Sequence, residues 1–322
     1  MSLLRTFILN RLSQYVILIF VVMIVNFTLI HAAPGDPTHI LAGEIVDEEF
    51  IRTIRAKFKL DRPLYEQLIT YILNVIQGDL GYSYHKRIPV ATLILERIPA
   101  TLLLVITAIS LAVIIGIVLG VMSAVRRGAF DALVSLASVI GVSLPIFWIG
   151  MLLLLIFAVH LDLLPIGGMR DVRADYEGLA YIWDVGRHLV LPALTLAIFH
   201  LAFITKLTRS SMLGTLTEDY ITTARSKGLS ERIVIIRHAL RNALFPVITY
   251  TGLTTGTLLT GAILTETVFS WPGMGSLLYD ALRLRDYPLL MGIFIYGTII
   301  VVVANAIVDI LYGILDPRVR VR

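Results

Sequence analysis

Few residues of this 322-residue chain have types and spacings suited to covalent or metal chemistry. There is no cysteine, which excludes thiolate ligands, a thiol nucleophile and a disulfide framework. The seven histidines are scattered, and neither an H-E-x-x-H zinc motif nor a G-x-S-x-G nucleophile turn occurs. A phosphate-cradling loop needs the pattern G-x4-G-K-[ST], so that backbone amides and a lysine surround the phosphates. Gly256 and Gly261 have the glycine spacing, but Ala262 and Ile263 follow them. The chain therefore offers no catalytic residues, no metal site and no bound cofactor that its sequence reveals. What remains is binding chemistry. Thr251, Thr254, Thr255 and Thr257 cluster hydroxyls, Trp271-Pro272-Gly273-Met274-Gly275 sets an indole in a sharp turn, and Thr217–Leu229 is a polar run that closes on a glycine.

The elements that must position these residues are apolar. Hydrophobic residues make up 57% of the chain and charged residues 16%, where a soluble domain carries about 25% charged. Mean hydropathy is +0.85. These values exclude disorder, collagen and an ordinary cytosolic enzyme. The apolar residues lie in blocks of roughly 20, each matching a bilayer span. Six transmembrane helices are predicted, near Leu12–Ala32, Ala100–Val125, Ala132–Val159, Leu189–Leu207, Leu244–Val268 and Leu289–Tyr312. The fold class is all-α, a polytopic membrane protein forming one transmembrane domain over 1–322. Pro145 predicts a kink or tilt in the third span. The first block is too long for the apolar core of a cleaved signal, which runs about 7–15 residues.

Loop charge sets the sidedness. With the N-terminus inside, the inner segments hold 14 Lys and Arg, counting Lys206 at a span edge, and the outer loops hold 13 in nearly twice the length. Long loops cross largely regardless of charge. Without the long first loop, 5 outer cations remain. Both termini are thus expected in the cytoplasm, and the pI of 9.3 reflects this asymmetry rather than a nucleic-acid footprint. Arg318, Arg320 and Arg322 read as a membrane-edge anchor.

The outer insertion 33–99 opens on the turn Pro34-Gly35-Asp36-Pro37. It continues with two amphipathic helices, one over Asp47–Lys59 and one after Pro63 with Leu64, Leu68, Ile72 and Ile76 in a stripe. A cap on the bundle and a docking surface for an external partner both fit. Trp271 fits an interfacial anchor or a lip on a pathway. The threonine row either lines a path or bonds its own backbone carbonyls. Gly116 with Gly120, and Gly252 with Gly256 and Thr260, read as close helix contacts. Asn26 and Asn305 read as interhelical hydrogen bonds. Lys206, Glu266 and Asp309 lie near span ends, and His200 is the titratable group well inside a span, either a packing residue or a relay. An ion-coupled transporter would be expected to carry more buried charge, and to show a pair of broken helices in corresponding halves, which the sequence does not reveal.

The inner segment 208–243 is the most informative. Thr217 is a candidate N-cap, and Glu218 and Asp219 put negative charge at a helix start. The helix runs through Ile221 and Ala224 to Lys227, and Gly228 suits the left-handed position that ends a helix. Ser230 can cap a second helix, Glu231–Asn242, carrying Arg232, Arg237 and Arg241. Ala224 and Gly228 are small enough to let another protein approach the backbone. An interfacial helix on anionic lipid would explain the charges but would not require a small Ala224 one turn before Gly228.

Thr217–Leu229 resembles the cytoplasmic coupling loop of importer permeases of the ATP-binding-cassette (ABC) superfamily. His238-Ala239-Leu240-Arg241-Asn242-Ala243 with Pro246-Val247 resembles its dipeptide, oligopeptide and nickel branch. His31, Pro34–Pro37, Gly78-Asp79-Leu80-Gly81, Pro145 with Phe147-Trp148, Thr265-Glu266, Trp271–Gly273, Arg285–Pro288 and Asp316-Pro317-Arg318 are similar to that branch's first permease subunit. Thr222-Thr223-Ala224 stands where sugar importers carry Glu-Ala-Ala. The resemblance implies a second homologous permease, two cytoplasmic ATPases holding ATP and Mg, an external solute-binding protein, and a multi-pass place in a prokaryotic inner membrane, with lipid around it. It implies import of short peptides, with nickel chelates or oligosaccharides as alternatives. Asp219, Tyr220, Ala224, Arg225, Lys227, Gly228 and Leu229 are the implied ATPase contacts. Thr251, Thr254, Thr255 and Trp271 are the candidate pathway residues. An ion-coupled transporter, a passive channel and a scaffold without a pore are the competing classes.

Overall fold

The computed structural model describes residues 2–32, 61–126 and 128–315, with side chains over 14–32, 61–126 and 128–309. The expected turn at Pro34–Pro37, the helix over 47–59 and the terminal arginines lie outside the described residues. Thirteen helices, α1–α13, carry the described chain, with one isolated antiparallel bridge between Tyr82 and Pro89. They are α1 Ser2–Ala32, α2 Leu64–Ile76, α3 Val90–Val125, α4 Ala129–Ser143, α5 Ile146–Leu153 with a π-helical continuation Leu154–His160, and α6 Gly178–Thr215. The inner segment comes next as α7 Asp219–Ser226, α8 Glu231–Ile233, the π-helical turn Val234–Ala239 and α9 Leu240–Ala243. The last are α10 Phe245–Leu259, α11 Ile263–Val268, α12 Met274–Arg283 and α13 Tyr287–Leu315.

Four helices are single pieces long and apolar enough to cross a bilayer: Gln14–Ala32 of α1, α3, α6 and Tyr287–Asp309 of α13. The expected third span is a pair, α4 and α5, bent by 102°. Pro145 disfavours helical geometry in the residue before it, and Leu144 is extended, with φ −81° and ψ 137°. The kink predicted there is therefore a break. The expected fifth span also breaks, between α10 and α11. Gly261 turns the chain at φ +128°. The expectation that broken helices would be lacking is corrected by these two breaks, which the fold brings together: Gly150 of α5 faces Phe269, the residue after α11.

The α3–α6 pair forms the centre. A Cβ on Gly116 would lie 2.9 Å from Ile204, and one on Gly120 would lie 2.6 Å from Thr208. Glycine thus brings these helices into backbone contact. Gly252 and Gly256 do the same between α10 and α13, facing Val308 and Ala304. Tyr15 donates to Asp309 Oδ2 at 3.3 Å, tying α1 to α13. Asn26 Nδ2 is buried and finds no partner among the described residues, contrary to its expected hydrogen bond. His200 is a hydrogen-bonded packing residue: its Nδ1 lies 2.8 Å from the Tyr250 hydroxyl. Both α3 and α6 begin about ten residues before their predicted spans and so are longer than those apolar stretches.

Asp286 pins the insertion to the start of α13. Its carboxylate accepts from Ser83 Oγ at 2.5 Å and from the Tyr84 backbone N–H at 3.1 Å. Of the α2 stripe, Leu64 and Ile76 are exposed and Leu68 and Ile72 half-buried; Ile69 and Leu73 on the neighbouring face are exposed as well.

Candidate functional site

The inner segment begins where α6 ends. Thr217 is not the N-cap of α7; its hydroxyl donates to the Gly214 carbonyl at 2.7 Å and closes the end of α6. Glu218 takes the N-cap position in extended geometry, φ −73° and ψ 148°. Asp219 in the first turn and Arg225 in the last oppose the helix dipole with the right signs. Ile221 and Ala224 are buried against Ala124 of α3, Met212 of α6 and Val234 and Ala239 of the π-helical turn. Two apolar side chains at a spacing of three thus hold α7 flat on the bundle.

That packing corrects one expectation. Ala224 faces inward, so its small size lets α7 sit close on its own chain rather than admitting another protein. Asp219, Tyr220, Thr222, Thr223, Arg225, Ser226, Lys227, Gly228 and Leu229 are exposed. Gly228 sits at φ +74°, its N–H donating to the Arg225 carbonyl at 2.9 Å. A Cβ placed there would meet nothing within 4 Å. Glycine is required at 228 by the left-handed backbone, not by crowding.

Two side-chain contacts fix the angle between α7 and the segment α8–α9. Arg225 grips Glu231 bidentately, Nη2 to Oε1 at 2.7 Å and Nε to Oε2 at 3.2 Å. The guanidinium holds the Glu231 carboxyl below its ordinary range. Asn242 donates to the Tyr220 hydroxyl at 2.7 Å. The result is a polar, exposed platform held by two side-chain contacts, suited to carrying a contact with another surface.

The candidate pathway residues separate. Thr255 donates to the Thr251 carbonyl at 2.7 Å and Thr257 to the Leu253 carbonyl at 3.1 Å, while Thr254 bonds Tyr250. Thr251 Oγ1 is buried with no partner among the described residues. Trp271 is fully buried, and its indole N–H donates to the Ala100 carbonyl at 2.9 Å. It is a packing anchor inside the protein, and neither the membrane-interface role nor the pathway-lip role expected of it fits that burial.

Trp271 belongs to an elbow that sequence reasoning missed. Glu266, fully buried, accepts from Thr101 Oγ1 at 3.1 Å, from the Ala262 N–H at 3.3 Å and from the Ser276 N–H at 2.9 Å. The Gly275 N–H adds a fourth bond. One carboxylate so joins α3, the break before α11 and the start of α12. Near the C-terminal end of α6, Arg209 pairs with Asp131, Nη2 to Oδ2 at 2.7 Å, linking α6 to α4. An acidic residue inside an apolar run was the available signal for Glu266, since such a group must find donors when buried.

A family model described as the binding-protein-dependent transport system inner membrane component matches residues 116–321, and the model of its N-terminal part matches residues 3–105. The chain belongs to this family. It is an ABC importer permease and a multi-pass membrane protein. Over 333 residues it is 43% identical to the dipeptide transport system permease protein of Escherichia coli strain K12, spanning 98% of each chain. Over 332 residues it is 44% identical to the di/tripeptide transport system permease protein of Pseudomonas aeruginosa strain UCBPP-PA14, again spanning 98% of each. Among solved structures it resembles a chain of the MetNI methionine ABC transporter in an inward-facing form, with a TM-score of 0.54 at 16% identity. That match covers 70% of this permease and 97% of the other chain, and it concerns the fold.

Proposed function

We propose that this permease forms half of the pore of a short-peptide importer and that α7 is its contact with an ATPase. The exposed polar face of α7, carried on the buried pair Ile221 and Ala224, is the observation that carries the coupling role. Relatives named for dipeptide and di/tripeptide transport, matched end to end, support the peptide cargo. ATP and Mg belong on two partner ATPases, because the chain has no G-x4-G-K-[ST] loop. A second homologous permease completes the pore, and an external binding protein delivers the solute. Asp219, Tyr220, Arg225, Lys227, Gly228 and Leu229 form the contact. Thr251, Thr254 and Thr255 line the pathway. Selectivity lies mainly with the binding protein, since the described spans hold no cluster of charges. The domain plan is a single permease domain over 1–322, with the insertion 33–99 outside and the coupling segment 208–243 in the cytoplasm.

The test is ATPase stimulation in the reconstituted complex with its binding protein, comparing di- and oligopeptides with chelated Ni²⁺ and oligosaccharides. Peptide stimulation is expected. Stimulation by nickel or sugar alone would overturn the cargo and leave the permease role standing. Orientation is tested separately, by labelling tags placed within 170–180 and 219–232. Only the first should be reached from outside.

A further inference from the structure

The segment after α7 presents a different chemistry from α7 itself. From Glu231 to Ala243 it buries Val234, Ala239 and Ala243 against Ala124 and Met212. Its opposite side carries Arg232, Ile233, Ile236, Arg237 and Arg241, all exposed, with Ile233 43% and Ile236 53% open. The π-helical turn Val234–Ala239 widens the helix, so that positions four and five apart fall on one side. Arg232, Ile236, Arg237 and Arg241 consequently share a face. The one acidic residue of the segment, Glu231, is held by Arg225. The three arginines form no ion pair among the described residues, which leaves the face with a local charge of three positive side chains flanking two isoleucines.

Depth within the molecule is set by Ala124. It is the penultimate residue of α3, and Arg126 comes at the end of that helix's apolar run. A segment packed on Ala124 therefore lies level with the edge of the apolar zone. It also passes through Leu244 straight into α10, part of the expected fifth span. Apolar side chains beside arginines at that level match an interfacial surface, where the aliphatic groups enter the acyl boundary and guanidinium groups reach phosphates.

We infer that the Arg232–Arg237–Arg241 face, with Ile233 and Ile236, binds the anionic phospholipid headgroups of the bilayer, while α7 beside it remains the protein contact. This goes beyond the importer assignment and rests only on α10 entering the membrane. An anionic leaflet attracts clustered arginines within a Debye length. The ATPase is the competing occupant, but the α7 platform presents no such pairing of isoleucine and arginine.

The absence of cysteine from the chain makes the test clean. An environment-sensitive fluorophore is attached at Ile236→Cys, and separately at Thr223→Cys on α7, in the full complex with both ATPases. The complex carrying the unsubstituted permease supplies the background. Each sample enters nanodiscs containing equal fractions of brominated phosphatidylglycerol or brominated phosphatidylcholine. Quenching at 236 by the anionic lipid is expected at about twice that by the neutral lipid, with little at 223, because clustered guanidinium groups enrich anionic headgroups locally. In a variant with Arg232→Gln, Arg237→Gln and Arg241→Gln, the two lipids should quench position 236 equally. Equal quenching with the arginines intact would overturn headgroup recognition. No quenching at 236, with a fluorescence change when ATPases are added, would overturn the lipid surface and assign the face to the ATPase. Neither result would touch the transport assignment, which is read by ATPase stimulation.

Discussion

The Glu266 elbow and the α7 platform are both turns between helices closed by glycine and an acidic side chain, yet they are built on opposite principles. In the elbow, Glu266 and Trp271 are fully buried, and the backbones of Gly261 and Gly275 touch. In the platform, Gly228 has open space around it, and Glu231 and Arg225 are exposed. A buried carboxylate that accepts several donors leaves them unsatisfied when it is removed. A solvated ion pair is replaced by water on both sides. The elbow is therefore a structural joint, whereas the platform is an exposed surface whose polar groups contribute little to the fold.

The largest effect should come from Glu266→Ala. Three backbone N–H groups and the Thr101 hydroxyl would lose their acceptor inside the protein, at a cost of at least about 3 kcal/mol when several such penalties combine. Thermal unfolding of the purified complex should show it as a marked drop in Tm. Glu266→Gln, which keeps one acceptor oxygen, should lie between it and the parent. An unchanged Tm in both variants would break the contrast at its strongest point.

One substitution in the two regions sharpens the comparison. At Gly275 a Cβ would sit 2.6 Å from the Ile263 backbone nitrogen, so Gly275→Ala should cost about 1–3 kcal/mol through overpacking. At Gly228 nothing obstructs a Cβ, and Gly228→Ala should cost about 1–2 kcal/mol from the left-handed backbone alone. Asparagine tolerates that conformation, so Gly228→Asn should recover most of the loss, whereas Gly275→Asn should be worse than alanine. Equal behaviour of asparagine at both sites in unfolding measurements would remove the distinction between crowding and conformation.

Function should separate the regions next. Gly228→Val places a β-branched residue at positive φ and is expected to abolish ATP-driven uptake while the protein still inserts and assembles. Normal uptake at normal expression would show that α7 is not the coupling element.

The smallest effect is expected at Arg225→Gln and Glu231→Gln. Both groups are exposed, so Tm should not move. Glu231 is held below its ordinary value of 4.5 by the guanidinium, so whatever the pair contributes is present above about that pH and is lost as pH falls through the lower folded value. The expected signature is a change in ATP consumed per peptide imported, weakened by salt. A drop in Tm with an unaltered ratio would move the pair into the structural class.

The left-handed glycine at 228, the helix through Ile221 and Ala224 that it ends, and four long apolar helices could be read from the chain because each depends on near neighbours: period, composition and the φ that a residue permits. The same rules misplaced Ala224 on the partner-facing side, since a small residue fits both a close intramolecular contact and an approaching partner. Only packing against Ala124 and Val234 decided that it faces inward. Pro145 announced a kink, but neither the size of its bend, 102°, nor the break at Gly261 was legible in the sequence. Glu266 illustrates the limit most clearly. Its donors lie 165 residues before it at Thr101, four before it at Ala262 and ten after it at Ser276. No local pattern signals that convergence. A carboxylate near a span end and a carboxylate at the centre of a joint read identically in one dimension, and three-dimensional burial, which makes unsatisfied donors costly, is what separates them.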